Sequence, residues 1–72
     1  MRARRASCLK KRQLRLVPRA HLERLLQTSE EGLEAINAVI EGGADHPHLV
    51  TERCVWVHNI ELLREHLARL PA

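Results

Sequence analysis

Apolar residues recur in this chain at alternating steps of four and three. They do so twice, once on each side of the pair Gly42-Gly43. The first run is Leu22, Leu26, Ser29, Leu33, Ile36 and Ile40, with one polar member, and Leu25 and Val39 widen it. The second is Leu49, Arg53, Trp56, Ile60, Leu63, Leu67 and Leu70, flanked by Val50, Cys54 and Val57. Such a repeat keeps one stripe of an α-helix apolar, whereas the faces of a strand alternate with a period of two. The spacing predicts two helices, over residues 18–41 and 47–70.

The punctuation agrees. Pro18 suits the first turn of a helix, where its missing N–H would have no partner anyway. Gly42-Gly43 supplies the left-handed conformation that helix C-termini often need. Asp45 or His46 would cap the second helix, Pro47 would sit in its first turn, and Pro71 stops it. Two features pull the other way in the first helix. Gly32 costs about 1 kcal/mol against Ala in a helix interior, and Thr28-Ser29-Glu30-Glu31 reads as a capping box that could start a fresh helix. One continuous helix is the better reading, because the repeat crosses this stretch without a shift. In the second helix the competitor is a strand at Cys54-Val55-Trp56-Val57, a β-branched and aromatic patch. Here too the repeat continues on both sides.

The short link, residues 42–46, forces the helices to be antiparallel neighbours. The expected fold is all-α, a two-helix hairpin over residues 18–72 preceded by an arm, residues 1–17. Each stripe is wider than one neighbouring helix covers. A chain of 72 residues also rarely gains more than about 3–5 kcal/mol from its own core. The residual apolar surface is expected to pair with another hairpin as a four-helix bundle, with a second copy or a heterologous protein as partner. Candidate partner-binding residues are Leu22, Leu26, Leu33, Ile36, Trp56, Ile60, Leu63 and Leu67. Trp56 doubles as a core residue and an interface anchor. Arg53 interrupts its seam, so it marks solvent or pairs with Glu34 or Glu41.

Charge divides the chain unevenly. Residues 1–19 carry eight basic residues and no acid, whereas residues 20–72 carry four basic residues and nine acids. The arm reads as a solvated, mobile tail, as a targeting segment, or as a nucleic-acid-binding arm that neutralises phosphates. In the last case the candidate residues are Arg2, Arg4, Arg5, Lys10, Lys11, Arg12 and Arg15. The alternation Gln13-Leu14-Arg15-Leu16-Val17 predicts a short extended segment. No apolar stretch follows the N-terminal charges as a secretory signal requires.

Other activities find little footing. Trp56 is the single aromatic residue, which argues against β-sandwiches and against folds that stack bases on aromatic platforms. No apolar run approaches the ~18 residues of a membrane span. His46, His48, His58, Glu61, Glu65 and His66 raise a metal reading, but no His-Glu-x-x-His or Cys-x-x-Cys accompanies them, and a solvated face of His–Glu pairs explains them better. Cys54, beside a seam, is expected to be a small buried hydrophobe. P-loops, dinucleotide fingerprints and nucleophile elbows are missing from the sequence. The expectation is a non-enzymatic, cofactor-free cytoplasmic protein without a metal site, acting through its helix seam.

Gly32-Leu33-Glu34-Ala35-Ile36-Asn37-Ala38-Val39-Ile40-Glu41-Gly42-Gly43 and the helix after it resemble the small helical-hairpin co-chaperones of bacterial type III secretion. Leu16-Val17-Pro18-Arg19-Ala20-His21-Leu22 is similar to another group of small proteobacterial helical proteins. The resemblance covers residues 16–70, and the basic arm at 1–15 departs from it. It implies a partner-binding, non-catalytic helical module and identifies no binding residues.

Overall fold

The computed structural model describes residues 8–43 and 47–71. Two antiparallel helices dominate: α1, Arg19–Glu41, and α2, Pro47–Arg69. They pack against each other along their length, and the described residues contain no strand. The Cys54–Val57 patch is helical, so the repeat prevails over local β propensity.

The ends of α1 follow from its residues. Pro18 stands just outside the helix, with φ −60° and ψ 148°, and its carbonyl accepts the first helical bond from Leu22 N–H at 3.0 Å. At the other end Gly42 N–H returns to Ala38 O at 3.0 Å, and Gly43 turns the chain with φ +97°. That value lies in the left-handed region that side chains avoid. The expected capping by Asp45 or His46 lies outside the described residues.

The helix does not restart at Ser29. Ser29 is buried, and its Oγ donates to the Leu25 carbonyl one turn back at 2.7 Å, which satisfies the hydroxyl inside a continuous helix. Gly32 has a packing reason. A Cβ placed there would lie 2.8 Å from the indole of Trp56, so glycine is what lets that ring lie against α1.

Residues 8–17 depart most from expectation. Leu14 is 1% exposed and shares one core with Leu22, Leu62 and Leu63, with Leu9 and Val17 packed around it. The alternating stretch at 13–17 is not extended. Lys11–Leu14 form a 3-10 turn, opened by Gln13 N–H donating to the Lys10 carbonyl and by Lys10 N–H donating to the Gln13 side chain, both at 2.9 Å. Two residues of α2 clamp the segment. Leu9 N–H donates to Asn59 Oδ1 at 2.9 Å, and His58 Nε2 donates to the Leu9 carbonyl at 3.1 Å. Both backbone polar groups of Leu9 are thus satisfied by side chains of α2. The mobility expected over 8–15 is replaced by packing, because Leu9 and Leu14 give the segment apolar area to bury. The part of that expectation at 1–7 lies outside the described residues.

This third layer covers one half of the hairpin only. The buried residues are Leu14, Leu22, Ser29, Asn59, Ile60, Leu62 and Leu63, and all of them lie toward the end where the chain enters and leaves. Between residues 30 and 58 every described residue is half-buried or exposed. The molecule is correspondingly slender, 43 × 20 × 17 Å. Its radius of gyration is 13.3 Å, against about 11 Å for a compact domain of this length.

Candidate partner-binding groove

The proposed seam divides when it is placed on the structure. Leu22, Ile60 and Leu63 are buried inside the single chain, and Leu26 and Leu67 pack against the same core. Leu22, Leu26, Leu63 and Leu67 spend their apolar area within the hairpin, whereas Ile60 keeps 5% of its surface open, toward a groove. Leu33, Ile36 and Trp56 lie in the turn half and are half-buried. The periodicity cannot separate the two groups, because both obey the same repeat.

What remains open is a groove between the helices on the face away from residues 8–17. It has a volume of about 650 Å³. Leu33 and Ala38 of α1 and Val57 and Ile60 of α2 give it apolar walls. Val57 is 38% exposed. Glu30, Glu34, Glu41 and Glu61 rim it, together with Asn37 and Arg64. Arg64 reaches across to Glu30 at 3.6 Å, the one described ion pair that joins α1 to α2. Glu34, Glu41 and Glu61 have no partner among the described residues, so the rim carries an unbalanced negative charge. Among the described residues no His, Cys, Ser or Thr lines the groove. Val50 and Val57, seven residues apart on α2, extend the apolar stripe toward the turn, both of them exposed.

The basic residues gather elsewhere. Lys10, Lys11, Arg12 and Arg15, in and beside the 3-10 turn at the open end, are all exposed. Lys11 and Arg15 join Glu65, His66 and Arg69 around a smaller recess of about 200 Å³. Arg2, Arg4 and Arg5 lie outside the described residues. Between Arg15 and Val17 the side chain of Leu16 is 97% exposed. Arg19 at the start of α1 closes the open end, its guanidinium donating to the Leu70 and Pro71 carbonyls at 3.4 Å each. A cation there also suits the negative end of the α2 dipole.

One further expectation changes. Cys54 is exposed rather than buried, and so is Cys8, both as free thiols. Cys54 lies in the half of α2 that no third layer covers. Arg53 makes no ion pair with Glu34 or Glu41; the ion pair that joins the helices is Arg64 with Glu30, about three turns further along α2. His58 is spent on the backbone of Leu9, and among the described residues no three His, Cys, Asp or Glu side chains converge as a metal-binding group. Among them, too, no helix is long and apolar enough to cross a membrane.

Repeat periodicity missed Leu9, Leu14, Asn59 and Leu62. A signal for them existed. Leu62 and Leu63 are adjacent, so α2 is apolar on two sides, and of the upstream residues Leu9, Leu14, Leu16 and Val17 all but Leu16 meet the second side.

No family model, curated protein or solved structure matches the chain.

Proposed function

We propose that the chain is a non-catalytic helical interaction module, of the co-chaperone, adaptor or inhibitor kind. It receives an apolar, positively flanked protein element in the groove between α1 and α2. One observation carries this reading: apolar walls formed by Leu33, Ala38, Val57 and Ile60 stand open beneath the rim carboxylates Glu34, Glu41 and Glu61. Open apolar walls of this kind are stabilised by a partner that excludes water from them, and the rim selects cationic flanks. A helix laid between two helices is a recurrent solution to that geometry. Two free, exposed thiols fit a reducing compartment such as the cytoplasm.

A photo-crosslinking residue at Ala38 tests the reading in living host cells. The expected result is a protein adduct that disappears with Val57→Asp. Adducts only from exposed residues of α1 that do not line the groove, at Thr28 or Val39, would contradict it.

A second reading has one specific observation behind it. The exposed, acid-free set Lys10, Lys11, Arg12 and Arg15 on an ordered turn suits phosphate contacts. Binding to generic duplex DNA that weakens steeply with salt, and that is lost with Lys11→Glu and Arg12→Glu, would favour it over the groove.

A further inference from the structure

The surface of this one chain carries both halves of a complementary contact. The socket is the groove, apolar inside and negative at its rim. The knob is Leu16, fully exposed in the bend that leads into α1, with Arg12 and Arg15 just before it in sequence. No described apolar side chain of comparable size is as exposed as Leu16. We propose that the occupant of the groove is a second copy of this chain, which inserts Leu16 between Leu33 and Val57 while its arginines meet Glu34 and Glu61. This rests on the groove being the interaction site and names what fills it.

Charge decides against the obvious alternative for a dimer. Laying groove on groove about a two-fold axis would bring the unpaired carboxylates Glu34, Glu41 and Glu61 of both copies together, and like charges in such proximity cost several kcal/mol. Knob in socket reverses the sign of that term. It also covers Leu16, for which nothing within the described fold provides a place. Knob and socket lie on different parts of the chain. Two copies therefore satisfy each other reciprocally if a two-fold axis relates them, and otherwise continue as a chain of copies.

Sedimentation equilibrium on the full-length protein tests this, with far-UV circular dichroism as the check that each variant folds. Leu16→Glu alters an exposed side chain, and Glu34→Arg with Glu61→Arg alters the rim. The wild type is expected to self-associate, less so in about 0.5 M salt. Each variant alone should dissociate at least about tenfold more readily, the loss of one buried apolar anchor or its equivalent in charge. Mixing the two variants should restore association, because one supplies an intact socket and the other an intact knob. A wild type that stays monomeric at millimolar concentration would overturn the second copy as occupant. So would self-association that ignores either variant, or a mixture that fails to recover. The groove reading itself is tested separately: an Ala38 adduct with any protein, this chain or another, supports it, and adducts only from Thr28 or Val39 contradict it.

Discussion

The two halves of the hairpin share one sequence repeat and differ in what covers it. Toward the open end, Leu22 and Leu63 are sealed by Leu14 from the segment before α1. Toward the Gly42-Gly43 turn, Leu33, Ile36 and Trp56 obey the same spacing but have only the opposing helix to pack against. Two helices bury a line of contact, and a third element is needed to close a volume. Periodicity thus says which side chains point inward, while burial depends on a third layer that the repeat does not encode.

The largest expected effect separates the halves directly. Leu63→Ala or Leu22→Ala removes a wholly buried side chain and should cost about 2–5 kcal/mol, enough to unfold so small a body. Ile36→Ala, equivalent in the repeat but half-exposed, should cost about 1.5 kcal/mol or less. Urea unfolding of the three variants checks the ranking. Equal losses would mean that the turn half is as well packed as the open end.

The segment at 8–17 comes next. Leu14→Ala should cost about 2–4 kcal/mol through a cavity beneath the 3-10 turn. Asn59→Ala leaves the Leu9 N–H without its acceptor and should cost about 1–3 kcal/mol. A protein lacking residues 1–17 should melt well below the parent. If it melts like the parent, Leu14 contributes nothing and the half-and-half distinction fails.

Hairpin, helix limits and link were legible because each has a local cause. The repeat sets the helices, Pro18 and Pro47 their starts, and Gly43 the reversal. The third layer left only a faint signal, because eight basic residues among the first 19 suggest a solvated tail and mask the few leucines among them. The groove was half legible. Leu33 and Ile60 lie on the seam, but its acidic rim arises only when Glu34 of α1 and Glu61 of α2 face the same side, and that needs the rotation of one helix against the other. Arg64 was invisible for the same reason.

Gly32 gives a smaller effect with a change of sign. Gly32→Ala gains about 1 kcal/mol of helix propensity. It also drives a methyl group into the Trp56 ring, and overpacking of that kind typically costs about 1–3 kcal/mol. The substitution should be neutral or destabilising in the parent. It should stabilise by about 1 kcal/mol when Trp56→Ala has removed the ring. A double-mutant cycle by thermal melting reads the difference, and additivity would mean that the indole does not rest on Gly32.

Smallest is the pair across the groove. Arg64 and Glu30 are both well exposed and 3.6 Å apart, so Arg64→Ala should change stability by less than about 1 kcal/mol. A larger loss would show the helices to be held across the groove by electrostatics rather than by its apolar walls.

Native-state hydrogen exchange, read residue by residue on dilute protein, measures the polarity of the core directly. Amides at 22–29 and 59–66 should exchange only through global unfolding. Those at 33–40 and 50–56 should exchange at least about tenfold faster, through openings of the turn half alone. Uniform protection along both helices, or a more protected turn half, would contradict a core confined to the open end.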